Sequence, residues 1–141
     1  MSLTFHTTCD NIDWNIVPKL LEQGGMSFVD PETHQKTFEA SYAVIFVLND
    51  NQLIGCGRAL SDGLRQSAIY DVVVDPRYQG QGIGKEVVSR LMSATPDCNF
   101  ILYASPGKEG FYQSLGFKKM KTGMIFFVSQ ERMDDENFVE L

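Results

Sequence analysis

The sequence predicts an α/β (α+β) domain in which a mixed, mostly antiparallel sheet of six to seven strands is flanked by about four helices. Three observations predict it. Apolar residues recur at helical spacing up to about residue 40, and the period then switches to two. Residues 42–48 and 52–59 are rich in β-branched and aromatic or apolar side chains, and Asn49-Asp50-Asn51 between them is the chemistry of a hairpin turn. Val72-Val73-Val74 then empties through Asp75-Pro76 into glycines at 80, 82 and 84 and on into a patterned apolar run, which reads as strand, loop and helix.

Each element follows from local chemistry. Trp14, Val17, Leu20 and Leu21 mark a first helix that stops at Gly24-Gly25. With Asp13 as its cap, Pro18 would lie beyond the first turn and kink the helix, so the start falls later. Asp30-Pro31-Glu32 is a cleaner start: an acceptor at the cap, proline at the first helical position and an acid near the positive end of the dipole, with the helix running to about Ala40. After the hairpin, Ser61-Asp62-Gly63 breaks the chain, and residues 67–74 form a third strand. Pro76 ends that strand because it lacks an amide hydrogen and restricts Asp75 to extended geometry. Ile83, Val87, Val88, Leu91 and Met92 share one helical face, with Lys85, Glu86, Ser89, Arg90 and Ser93 on the other, and Pro96 closes the helix. Residues 100–104 read as a short buried strand, 108–114 as a short helix ended by Gly116, 117–120 and 124–128 as two closing strands, and the acidic residues 131–140 as a solvated end.

Size and charge narrow the function classes. A chain of 141 residues is long enough for one core that buries about 68% of its unfolded surface and too short for two ordinary domains, so one domain over 1–141 is expected. Its 18 acidic against 12 basic residues give a net charge of -6, which opposes a phosphate backbone and suits a cationic small substrate. Cys9, Cys56 and Cys98 are odd in number and widely spaced, and only His6 and His34 could supply imidazole, so neither a metal site nor a disulfide framework is expected. The longest apolar run, residues 43–48, is far short of the roughly 20 that span a bilayer, and residues 1–10 lack a basic end followed by an apolar stretch. These features predict a soluble, cytoplasmic protein without nucleic-acid or membrane partners.

A strand that ends in glycines and opens a helix exposes the unpaired amides of the first helical turn, and the helix dipole makes that end attractive to anions. Glycines allow a phosphate to approach the backbone. A dinucleotide fingerprint would need glycine where Lys85 stands, and an NTPase phosphate loop would need glycine at Gln79 and Ser or Thr at Glu86. Gln79-x-x-Gly82-x-Gly84 preceded by Val-x-Val-x-Pro instead resembles the GNAT superfamily of acetyl-CoA-dependent N-acetyltransferases. Gly110-Phe111-Tyr112-Gln113-Ser114-Leu115-Gly116-Phe117 is similar to the Phe-Tyr-x-x-x-Gly-Phe segment of the same family, and the resemblance covers about residues 52–128. Arg58-Ala59-Leu60-Ser61-Asp62-Gly63 followed by Asp71-Val72-Val73-Val74 looks like small arylalkylamine (serotonin-type) and bacterial members. Glucosamine 6-phosphate acetyltransferases share that last register but carry an asparagine ligand near Lys108 and Glu109, which this chain lacks.

The resemblance implies a sheet splayed between the third and fourth predicted strands, near Val74 and Ala104, with acetyl-CoA as cosubstrate and no metal. It implies that the amides of Gln79, Gly80, Gln81, Gly82, Ile83, Gly84 and Lys85 hold the CoA pyrophosphate, that Val72, Val73 and Val74 pair with the pantetheine arm, and that Ser105, Phe111 and Tyr112 complete the binding set. The amide of Val74 would polarise the acetyl carbonyl; its side chain, like that of Val72, is equally consistent with packing. Tyr112 is the expected general acid toward the CoA thiolate, or else packs and hydrogen-bonds the sulfur. Asp71, Asp62 and Glu109 are open candidates for taking the amine proton, and Asp71 alternatively orients the substrate ammonium. Arg58 would bind an anionic group or form a structural ion pair, while Lys85 and Lys108 meet CoA phosphates or line a solvated surface. The expected function is transfer of acetyl to a small primary amine, with a possible homodimer. The other readings are sugar-phosphate or protein-amine acetylation and a non-catalytic acetyl-CoA sensor.

Overall fold

The computed structural model describes residues 2–141, so Met1 lies outside the described residues. The chain divides into two compact units, Met1–Leu102 and Tyr103–Leu141. Among the described residues the first unit carries one five-stranded sheet in the order β1 (Leu3–His6), β2 (Ala43–Asn49), β3 (Gln52–Ser61), β4 (Gln66–Val74) and β5 (Asn99–Ile101). The first four strands are antiparallel to their neighbours, and β5 runs parallel to β4. The expected hairpin is β2–β3, whose two-residue turn places both Asp50 and Asn51 at positive φ, 48° and 69°, as the twist of the flanking strands favours.

The first helix, α1 (Ile16–Gln23), starts later than Asp13, which puts Pro18 inside the first turn, where a missing amide hydrogen breaks no helical bond. Asp13 instead accepts from Asn15 N–H through its side chain and from Ile16 N–H through its carbonyl, both at 3.1 Å. In α2 (Pro31–Glu39) the Asp30 carboxylate caps the helix by accepting from Thr33 N–H at 2.9 Å. These two helices pack Val17, Leu20, Leu21 and Phe38 against Phe46, Cys56 and Val73, with Trp14 set edge-on to Phe46. Helix α3 (Ile83–Ser93) covers the opposite face: a Cβ on Gly57 would lie only 2.9 Å from Val87 Cγ1 and 3.1 Å from Leu91 Cδ1. Glycine at 57 therefore sets how closely α3 lies on β3. Burying each of these large apolar side chains contributes about 1.5–3 kcal/mol.

The expectation of six to seven strands is corrected to five among the described residues. Strand β1 was not anticipated, and residues 117–120 and 124–128 form no ladder. The reason is visible after α4 (Glu109–Ser114), in the second unit. Gly116, at φ 98°, donates to Gln113 C=O and Phe117 donates to Tyr112 C=O, the paired bonds of a glycine-terminated helix end. The Phe117 amide is thus spent on the cap, and that of Phe127 donates to Met133 Sδ at 3.1 Å. The acidic end is not wholly solvated: Ser129 caps a fifth short helix, α5 (Gln130–Met133), and Arg132 stacks on Phe127 and Phe138 at 4.3 and 4.8 Å.

Candidate active site

Strand β4 carries expected site residues of the first unit, and its pairing with β3 is irregular. Arg58 pairs with Tyr70 and Cys56 with Val73, so Gly57 alone stands opposite both Asp71 and Val72. This is a β-bulge, with Asp71 in the left-handed region at φ 57°. Beyond the bulge, Asp75 N–H donates to Ile54 C=O on the β3 side at 2.7 Å. Successive amides of a strand alternate between its two edges, so the Val74 N–H turns toward the other edge. The β5 ladder occupies that edge only at Gln66, Ser67 and Ala68. Among the described residues no ladder pairs that edge along the second half of β4.

The chain leaves β4 through a 3₁₀ turn, Pro76–Tyr78, fixed by the buried Asp75 carboxylate, which accepts from Arg77 N–H at 2.9 Å and from its guanidinium at 2.9 and 3.2 Å. These Arg77 bonds hold the Asp75 carboxyl below the usual carboxylate range. Gln79 folds back and donates through Nε2 to Val74 C=O at 3.1 Å, tying the loop to the end of the strand. Gly80 and Gly82 both sit at φ 79° with open space where a Cβ would be, and Gly82 opens α3 without any side-chain cap. From Gly80 to Lys85 no main-chain N–H has an acceptor among the described residues, and the first helical bond is Glu86 N–H to Gly82 C=O. Six consecutive amides at the start of α3, with Lys85 exposed beside them, are thus available to an anion.

Of the candidate bases, two are committed elsewhere. Asp62 Oδ1 accepts from the amides of Leu64, Arg65 and Gln66 at 2.8, 2.7 and 3.1 Å, and these bonds hold its carboxyl below the ordinary range. Glu109 accepts from Gly107 N–H at 2.7 Å and is lowered mainly by such backbone bonds. Asp71 gives Oδ2 to Arg58 Nε at 2.7 Å, and its Oδ1 has no partner among the described residues. Of the two expectations for Arg58, an anionic ligand or a structural ion pair, the ion pair is the one present; that its partner is Asp71 depends on the bulged register of β3 and β4, which spacing along the chain cannot reveal.

The second unit holds the remaining expected residues. Ser105 C=O accepts from Lys108 N–H at 2.9 Å in the turn before α4. Phe111 and Tyr112 are adjacent on α4 with rings 4.9 Å apart, and Phe117 meets Tyr112 edge-on at 5.8 Å. Burial pushes the Tyr112 phenol above its ordinary pKa, so it is a protonated donor at neutral pH. No group of three or more His, Cys, Asp or Glu side chains among the described residues could hold a metal, and no helix there is long and apolar enough to cross a membrane.

Comparison with known proteins decides the family: residues 16–126 match the acetyltransferase (GNAT) domain. The chain belongs to the GNAT family. It is 42% identical over 78 residues to GCN5-related N-acetyltransferase 2, chloroplastic, of Arabidopsis thaliana, covering 53% of this chain and 30% of that protein. It is 35% identical over 88 residues to serotonin N-acetyltransferase 2, chloroplastic, of Oryza sativa subsp. japonica, covering 58% of this chain and 44% of the relative. This GNAT chain therefore spans less than half the length of either relative. A GNAT-family acetyltransferase from Streptococcus pneumoniae superposes with a TM-score of 0.75 at 23% identity, over 89% of this chain and 98% of the other, which establishes the shared fold.

Proposed function

We propose that this GNAT chain transfers acetyl from acetyl-CoA to the primary amine of a small molecule by direct attack. The observation that carries the reading is the run of six unsatisfied amides, Gly80 to Lys85, at the exit of a bulged strand whose far edge is open. The cradle suits a pyrophosphate, and the open edge suits an extended pantetheine arm that pairs with main-chain groups of Val72, Val73 and Val74. The amine lone pair attacks the thioester carbon, and the carbonyl electrons move to oxygen, where the Val74 N–H receives the developing charge. One such donor lowers the barrier by about 3 kcal/mol. Collapse of the intermediate expels the CoA thiolate, which takes its proton from Tyr112. Before attack, Asp71 Oδ1 orients the entering ammonium and takes one proton from it, directly or through water. On collapse the second nitrogen proton passes through solvent and restores the Tyr112 phenol, so one proton is released overall. The net charge of -6 and the serotonin N-acetyltransferase relative both favour a cationic acceptor.

The test is release of CoA thiol from acetyl-CoA with a panel of aryl- and alkylamines, glucosamine 6-phosphate and a lysine peptide. Turnover led by an aryl- or alkylamine supports the reading. Clear preference for the sugar phosphate or the peptide overturns the substrate class, and tight acetyl-CoA binding without transfer to any acceptor replaces the enzyme by a sensor.

A further inference from the structure

We propose that Arg58 is a positioning residue for acetyl transfer: its ion pair with Asp71 holds the β4 bulge in the geometry that decides which main-chain amides face the open edge of the sheet. The proposal rests on the acetyl-transfer reading above. The left-handed region is disfavoured for a residue with a Cβ, less so for Asp than for most, so contacts that hold Asp71 at φ 57° stabilise the bulge. Arg58 stands on β3 next to the bulge, opposite Tyr70, and bonds Asp71 Oδ2 through Nε at 2.7 Å, with the two side chains only 14% and 21% exposed. It is itself clamped. Its guanidinium lies 5.1 Å from the Tyr70 ring centroid and 5.9 Å from that of Phe38, and Nη1 donates to Ser41 Oγ at 3.4 Å. The Asp71 main chain is held too, since its C=O accepts from Cys56 Sγ at 3.6 Å.

The consequence for the site follows from strand periodicity. A regular ladder continued from Arg58↔Tyr70 would pair Gly57 with Asp71 and Cys56 with Val72, whereas the bulged register pairs Cys56 with Val73 and Gly55 with Val74. A slip of one residue reverses the direction of every following side chain and amide. Loss of the bulge would therefore turn the Val74 N–H back toward β3. Arg58 touches none of the reacting atoms in this scheme and acts only through Asp71.

The experiment is a double-mutant cycle of Arg58→Gln and Asp71→Gly, read by single-turnover acetylation, calorimetric acetyl-CoA binding and the amide NMR shifts of Val72, Val73 and Val74 in the free protein. Arg58→Gln is expected to lower the single-turnover rate by roughly 10- to 100-fold, because one oxyanion donor is misdirected. Its acetyl-CoA binding should weaken by less than the rate falls, because the glycine loop's hold on the pyrophosphate is untouched while the main-chain groups of Val72, Val73 and Val74 that pair with pantetheine are displaced. In the Asp71→Gly background, where glycine adopts positive φ freely, adding Arg58→Gln should change the rate and the three shifts by less than about twofold of experimental scatter. An equal rate loss in both backgrounds overturns the proposal, as does an Arg58→Gln protein with wild-type rate and shifts. Arg58→Lys, which keeps the charge and loses the planar fork, supplies the same readouts if Arg58→Gln does not fold. If the wild-type protein acetylates no amine, the acetyl-transfer reading fails, and the shift cycle alone decides whether Arg58 holds the bulge.

Discussion

Tyr112 and His34 show how the same burial gives two side chains different chemistry. The Tyr112 ring sits against Phe111 and Phe117, and burial strengthens its hold on the phenolic proton. Tyr112→Phe keeps those ring contacts and deletes the proton. If the phenol protonates the departing thiolate, the single-turnover rate falls by roughly 100- to 10,000-fold while acetyl-CoA binding changes little. A rate within about threefold of wild type would assign Tyr112 to packing. His34 is buried on α2, and its Nε2 accepts from Val29 N–H at 3.0 Å, which requires the neutral ring. Burial is the main cause that lowers its pKa below the usual 6.5, and the Arg58 charge acts in the same direction against Asp71 and Asp30. A histidine with a depressed folded pKa contributes stability that is complete above its unfolded pKa and is lost as pH falls through 6.5 toward the folded value. The carboxyls held low, Asp30, Asp62, Asp75 and Glu109, lose stability only at more acidic pH, below 3.8 to 4.5. Urea midpoints at about pH 7 and about pH 5 should therefore differ more in wild type than in His34→Gln. Equal differences in the two proteins would contradict this account.

At the scale of elements, the strand-loop-helix unit from β4 to α3 was the most legible part of the sequence. Valines, a proline and alternate glycines each have a local mechanism, and all point to one local structure. The residues that bind together across strands were less legible. Asp71 was visible as a carboxylate near the cradle, but its left-handed backbone and its bond to Arg58 arise from the register of β3 against β4. Strand β1 was missed because Leu3 and Phe5 give too short an alternation, and its identity as a strand comes from pairing with β2. The closing segments 117–120 and 124–128 erred in the other direction: their side chains suit strands, but Phe117 is committed to the end of α4. Gly82 is the best single probe of the cradle. Its φ of 79° strains any side chain, and a Cβ there would enter space that is now open, at the centre of the six free amides in sequence. Gly82→Val is expected to remain folded and to weaken acetyl-CoA binding at least tenfold in calorimetry, about 1.4 kcal/mol. Binding as tight as wild type in a folded variant would move the pyrophosphate elsewhere.

For the whole molecule, family membership and the first unit's geometry reinforce each other. The GNAT match spans residues 16–126, which include β4, whose second half has no ladder on the β5 side among the described residues, and the glycine loop that follows it. Net charge adds a selectivity expectation, since a protein with 18 acidic and 12 basic residues attracts cations at low ionic strength. The Arg58 partnership moderates that expectation locally, because half of the Asp71 carboxylate is already satisfied. The central claim is that the chain moves an acetyl group from acetyl-CoA to an amine. Mass spectrometry of a single turnover with isotopically labelled acetyl-CoA and the leading aryl- or alkylamine tests it most directly. The account predicts labelled N-acetyl product in equal amount to the CoA thiol released, and a matched fall in both for Gly82→Val at subsaturating acetyl-CoA. Acetyl-CoA bound in a one-to-one complex, with no labelled product from any amine supplied at saturation, would contradict it.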